Sequence, residues 1–131
     1  MKLRVLFVCV ENSCRSQMAQ GFAKALGGDS IEAYSSGSKP SGTVNPKAIA
    51  SMKEINIDLS THTSTGLGDL PEGEWDAVIT MGCGDACPNI AAKRRLDWAL
   101  EDPKHMPPEQ FATVRDDIKR RVQTLLSELS A

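Results

Sequence analysis

Residues 5–28 constrain the fold more than any other stretch of this chain. Val5-Leu6-Phe7-Val8-Cys9 is short, continuously apolar and uncharged, the pattern of a strand buried on both faces, as in a parallel sheet. Helical periodicity follows after a few polar residues. Met18, Ala19, Phe22, Ala23 and Leu26 form one apolar stripe that stops at Gly27-Gly28, where a left-handed cap is accessible. Strand, tight loop and helix are thus compressed into one unit of the kind from which open parallel sheets are built. Such sheets place their sites at the carboxyl ends of the strands.

The remaining chain repeats the alternation. Ile31 to Ser35 reads as a second strand, residues 36–44 as loop, and Asn45-Pro46 as an N-cap and first-turn proline opening a helix with Ile49, Met52 and Ile55. After a Pro/Gly-rich segment at 66–73, Ala77 to Met81 reads as a third buried strand, and Arg95 to Ala99 as a fourth. Pro107-Pro108 opens a long helix whose Phe111, Val114, Ile118, Val122, Leu125 and Leu129 recur every three or four residues. The expectation is an α/β fold with a parallel sheet covered on both faces. No linker or internal repeat divides the 131 residues, so one domain over 1–131 is expected.

A formal charge of -2, with both signs interspersed, argues against a broad footprint for nucleic acid or anionic lipid; any anion must be held locally. The first apolar run ends at Glu11 after six residues without a small-residue cleavage pattern, which does not fit a leader, and no segment reaches membrane-spanning length. Four cysteines, Cys9, Cys14, Cys83 and Cys87, could form two disulfides in a secreted domain, but a chain with this much apolar content needs no such staples. Free thiols in a reducing cytoplasm are expected.

Cys9 ends the first strand, and Val10, Glu11, Asn12, Ser13 and Cys14 form the turn into the helix, where backbone N–H groups can converge on an anion. Arg15 adds a planar guanidinium suited to two oxygens of a tetrahedral oxyanion, and Ser16 a hydroxyl near the sulfur. The same donors favour the thiolate of Cys9. Nucleophile and oxyanion would share one cradle. Cys83 and Cys87 follow the third strand, whose carboxyl end faces the same side, and Gly82 and Gly84 free the backbone around Cys83. The two close cysteine pairs also have the spacing of a structural zinc site, although Cys9 ends a buried strand and Arg15 would set a cation beside Cys14.

CVENSCRS at 9–16 resembles the C-x5-R-S phosphate loop of the low-molecular-weight protein tyrosine phosphatases and of the arsenate reductases built on that fold. The likeness continues through SSG at 35–37, NPKAI at 45–49, INIDLSTHTS at 55–64, DAVITM at 76–81 and EDP at 101–103. It implies a four-stranded parallel sheet with flanking helices and casts Asp102 as the general acid that protonates the leaving oxygen. A phosphatase needs only water to clear its covalent intermediate. Arsenate reduction needs two electrons, and the resemblance implies a relay in which Cys83 attacks the Cys9 sulfur, arsenite leaves, and Cys87 then attacks Cys83. No cofactor or metal is then expected to be bound, and the reductant is external: thioredoxin, or glutaredoxin with a low-molecular-weight thiol. Phosphate and sulfate would compete with arsenate, and a monomer is expected.

The segments SGSKPSGTVN and KHMPP carry no aromatic residue where phosphatases of this fold line their entrance with aromatics. Phosphotyrosine would lose apolar burial there, and a small inorganic oxyanion would not. Phosphotyrosine or aryl-phosphate hydrolysis is the alternative reading. Two features depart from the thioredoxin-coupled reductases. Cys83 and Cys87 are separated by only three residues, so their disulfide requires Cα atoms within about 7 Å and a loosened backbone, and a small thiol acting on Cys83 is the other route. Gln20 and Thr65 stand where some members carry acidic groups for potassium, so no such ion is expected, with His62 near Asn12 as a neutral substitute.

Overall fold

The computed structural model describes residues 2–82 and 90–130; Cys83 and Cys87 lie outside the described residues. Four strands, β1 (Leu3–Cys9), β2 (Ile31–Gly37), β3 (Ala77–Thr80) and β4 (Arg94–Asp97), form one sheet in the order β2-β1-β3-β4. Every pairing is parallel, from Leu3↔Ile31 to Cys9↔Gly37 on one side of β1 and from Val5↔Ala77 to Val8↔Thr80 on the other. The crossovers carry α1 (Arg15–Gly27) after β1 and α2 (Pro46–Lys53) after β2, and α3 (Pro108–Leu129) follows β4 at the end of the chain. The order places β1 centrally, which is why its run is apolar on both sides.

Alternate residues of β1 serve two cores. Val5, Phe7 and Cys9 face the larger one, with Ala33, Ala77 and Ile79 from the sheet, Met18 and Phe22 from α1, Ala48 and Met52 from α2, and Phe111, Ile118 and Leu125 from α3. Leu6 and Val8 face the smaller one, with Val78 and Trp75, flanked by Tyr34, Leu70, Ile90 and Ala92. The three α-helices of the described residues therefore share one face. The second face, expected to carry helices as well, is covered among the described residues by the segment around the 3-10 turn Leu67–Asp69 and by residues 90 and 92.

Boundaries follow local chemistry. Asn45 caps α2, its side chain accepting from the Lys47 N–H at 2.9 Å, with Pro46 in the first turn. α2 ends at Lys53, so Ile55 packs from beyond the helix. Gly28 ends α1 with φ +53°, the left-handed geometry that a Cβ disfavours. Leu26 leaves the expected stripe and is 45% exposed. β4 spans Arg94–Asp97 rather than 95–99, alternating half-buried and exposed residues as an edge strand does. Along α3 the apolar stripe includes the buried Arg115, whose Nη1 donates to the Ser51 carbonyl at 2.8 Å and pairs with Glu54 at 3.2 Å, clamping α3 to α2. Trp98 packs against Phe7 with ring centroids 5.9 Å apart, and Trp75 against Tyr34 and the Arg4 guanidinium, so both tryptophans are packing residues.

Candidate active site

The β1–α1 loop closes over the carboxyl end of the central strand and is almost wholly buried: Cys9 is 2% exposed, Asn12 0%, Ser13 6%, Cys14 4%, Arg15 5% and Ser16 0%. Its carbonyls are all taken from outside. Those of Cys9, Val10, Glu11 and Ser13 accept from the N–H groups of Ser38, Lys39, Ser41 and Asn45 at 2.8–3.2 Å, and that of Asn12 accepts from Gln17 Nε2 at 3.1 Å. In a trans peptide the C=O and the following N–H point in opposite directions. Pulling five successive carbonyls outward therefore turns the amides of Val10, Glu11, Asn12, Ser13 and Cys14 inward, beside the N-terminus of α1. That is an anion-binding nest.

Two glycines make the arrangement possible. A Cβ at Gly37 would stand 2.5 Å from the Val10 carbonyl oxygen and 2.8 Å from the Asn12 nitrogen, so only glycine lets β2 press against the loop. Gly82, with φ +77°, lies where a Cβ would meet the Leu100 oxygen at 2.6 Å and Arg15 Nη1 at 2.7 Å. It lets Arg15 Nη1 donate to the carbonyls of Met81 at 2.7 Å and Leu100 at 3.0 Å. One arm of the guanidinium is thereby fixed to the ends of two other elements. Nη2 stands 3.8 Å from Asp102 Oδ2.

A chain of hydrogen bonds leads to the Cys9 sulfur. The Thr65 N–H donates to Asn12 Oδ1 at 2.8 Å, which fixes the Asn12 amide and leaves Nδ2 to donate to Ser16 Oγ at 2.8 Å. Ser16 Oγ in turn stands 2.9 Å from Cys9 Sγ, where its hydroxyl can donate to the sulfur once that is a thiolate. Gln17 is fixed likewise: Nε2 faces the carbonyls of Asn12 and Thr63, so Oε1 accepts from His62 Nδ1 at 2.9 Å. His62 thus reaches Asn12 through Gln17 rather than directly. Burial, aided by Lys24, holds the His62 pKa below its usual value against the pull of Asp58, keeping the ring neutral with its hydrogen on Nδ1. Asn12 itself sits at φ +51°, a conformation asparagine tolerates better than most residues. Gln20 and Thr65 both turn to β2: Ser35 Oγ donates to Gln20 Oε1 at 2.5 Å, and Thr65 Oγ1 to the Ser35 carbonyl at 3.1 Å.

The second thiol of the loop, Cys14, is buried beside the Ser13 hydroxyl. Burial pushes the Cys14 pKa up to about 11, with the Ser13 hydroxyl opposing, so Cys14 remains a thiol at neutral pH. Across the cavity, Asp102 accepts from the Lys104 N–H at 3.1 Å and is 37% exposed at its side chain. Cys9, Glu11, Ser13, Cys14, Arg15 and Asp102 wall a cavity of about 10 Å³, with no aromatic side chain among them. The structure thus brings together the expected loop residues and Asp102, and the expected positions Cys83 and Cys87 fall outside the described residues. Among the described residues no group of three or more His, Cys, Asp or Glu side chains is placed to hold a metal, and no helix is long and apolar enough to cross a membrane. Gly37, Gln17, Gly82 and Lys104 were not singled out as site residues from the sequence. Gly37 lies in the SSG segment, which the resemblance flagged without giving its reason.

This fold and this loop define a class: the family model described as low molecular weight phosphotyrosine protein phosphatase matches residues 4–131, and the chain belongs to that family. Within it the likeness narrows. The chain is 44% identical over 130 residues to the glutaredoxin arsenate reductase of Synechocystis sp., covering 97% of this chain and 98% of that one. A solved arsenate reductase in the phosphate binding state superposes with TM-score 0.87 at 43% identity over 98% of this chain and 99% of the other. A Corynebacterium glutamicum thioredoxin-dependent arsenate reductase gives TM-score 0.80 at 30% identity, covering 98% of this chain and 62% of that one.

Proposed function

We propose that this chain reduces arsenate to arsenite, with Cys9 as nucleophile. The observation that carries the reading is the Ser16 hydroxyl 2.9 Å from Cys9 Sγ inside a nest whose cavity has no aromatic wall. A tetrahedral inorganic oxyanion fits that chemistry, and an aryl ester finds no ring to stack on. Inward amides and the Arg15 edge that Met81 and Leu100 leave unbonded hold the oxygens. The Cys9 thiolate, stabilised by Ser16, attacks arsenic, and Asp102 donates a proton to the departing oxygen, which leaves as water.

The covalent arsenic(V) adduct is then resolved by a second thiol. Cys83 attacks the Cys9 sulfur, the sulfur–arsenic bond breaks, its electron pair leaves with arsenic as arsenite, and a Cys9–Cys83 disulfide forms. Cys87 attacks Cys83 and releases Cys9, and an external thiol reductant closes the cycle. These two steps rest on the sequence and on the family resemblance. The reductant is thioredoxin, or glutaredoxin with a small thiol; relatives named for each support both routes. With Gln20 and Thr65 bonded to β2, the reaction proceeds equally in potassium and sodium.

A coupled assay tests the proposal. NADPH loss is followed with arsenate and either reducing system in wild type, Cys83→Ser and Cys87→Ser. Activity lost with Cys83→Ser and with Cys87→Ser supports the full relay; loss with the first alone assigns the small-thiol route. Arsenate turnover untouched by Cys83→Ser removes the relay, and hydrolysis of aryl phosphates without arsenate reduction returns the chain to phosphatase chemistry.

A further inference from the structure

The pocket over Cys9 is small and open to solvent, so the walls that can adapt to an entering tetrahedral oxyanion are those that packing does not fix. Cys9, Ser13, Cys14 and Arg15 are at most 6% exposed. The Ser13 carbonyl is bonded to Asn45 N and Arg15 to two backbone carbonyls. Glu11 differs. Its carboxylate is held by Lys104 Nζ at 2.9 Å, and each of the two side chains is 34% exposed, the kind of ion pair that contributes little to stability and exchanges readily.

Charge gives the exchange a direction. A carboxylate on the rim opposes an incoming anion, and an ammonium favours it. Lys104 is placed to change partners: its N–H is bonded to Asp102 and its carbonyl accepts from Lys47 Nζ at 2.9 Å, so the backbone stays fixed while the side chain swings. Its partner Glu11 lines the pocket together with Asp102, which sets the ammonium at the rim of the cradle.

We infer that Lys104 is a further substrate-binding residue: Glu11 holds its ammonium until a tetrahedral oxyanion enters, and the oxyanion then takes the ammonium over while the Glu11 carboxylate turns to solvent. This rests on the oxyanion-binding reading of the Cys9 loop and adds to it a cation supplied by the acid-bearing loop.

The test is calorimetric binding of inorganic phosphate to the reduced full chain, in wild type, Glu11→Gln, Lys104→Met and the double variant. Glu11→Gln is expected to bind about threefold more tightly, Lys104→Met about tenfold more weakly, and the double variant about threefold more weakly than wild type, the scale of partly exposed charge contacts. Lys104→Arg should restore binding to within about twofold, and Lys104→Met should flatten the salt dependence. A Glu11→Gln variant that binds no tighter, or a double variant equal to wild type, overturns the exchange while leaving the oxyanion site standing. Wild type that does not bind phosphate overturns the underlying site reading and the exchange with it.

Discussion

The loop after β1 and the loop after β4 meet at the same end of the sheet and are built on opposite terms. In the first, Asn12 to Ser16 are at most 6% exposed, five carbonyls are held from outside, and a hydrogen-bond chain from Asn12 through Ser16 ends on the sulfur. In the second, Asp102 is 37% exposed at its side chain, and the turn is fastened by the side chains of Lys47 and Lys104. A site that stabilises developing negative charge gains most from dipoles that need no reorganisation. A proton donor must instead meet a substrate that comes and goes. On the proposed mechanism the rigid half binds and activates, and the adjustable half admits and protonates.

That division can be broken from either side. The largest effect is expected from the rigid half: Arg15→Lys loses the planar fork, and Gly82→Ala drives a Cβ into Arg15 Nη1 and the Leu100 carbonyl. Each should lower kcat/KM for arsenate about a hundredfold or more, measured by steady-state kinetics, with Gly82→Ala also weakening phosphate inhibition. Asp102→Asn should lower kcat by about a hundredfold while thermal unfolding shifts by less than about 0.5 kcal/mol, because the side chain is exposed.

Asn12 separates conformation from hydrogen bonding. Asn12→Gly keeps access to φ +51° and removes only the amide, whereas Asn12→Ala adds backbone strain of about 1 kcal/mol. Both should lose about tenfold in kcat through a misdirected Ser16 hydroxyl, and only the alanine variant should show the additional stability loss in denaturant titration. The smallest effect concerns His62. Its folded pKa is depressed, so its contribution to stability is complete above the ordinary value of 6.5 and is lost as pH falls below it. Thermal unfolding of wild type should lose more stability between neutral pH and mildly acidic pH than that of His62→Gln.

The comparison also explains what was legible in the sequence. β1, α1 and the α3 stripe were readable because a central strand and amphipathic helices must repeat apolar residues at fixed periods. The clustering of the C-x5-R-S loop was readable because its residues are consecutive. Which side of the sheet each described helix covers was not, since periodicity records that a face is buried and not which side of the sheet buries it. Gln17 reads as one more polar residue in the first turn of a helix, yet it is fully buried by partners at Asn12, Thr63 and His62, forty and more residues away in two cases. Gly82 was noted as freedom beside Cys83; its close approach to Arg15 depends on β3 and the β4 loop converging. Glu11 and Lys104 are 93 residues apart, and only the parallel topology brings them together.

The central claim, that a buried Cys9 thiolate attacks arsenic and a second thiol carries away the oxidation, is tested most directly by a single turnover without reductant. Fully reduced protein is mixed with arsenate, and arsenite and free thiols are counted. About one arsenite per chain is expected, with the loss of two thiols, and Cys9→Ser should form none. Undiminished arsenite formation by Cys9→Ser, or no arsenite from wild type with all thiols retained, would contradict the account.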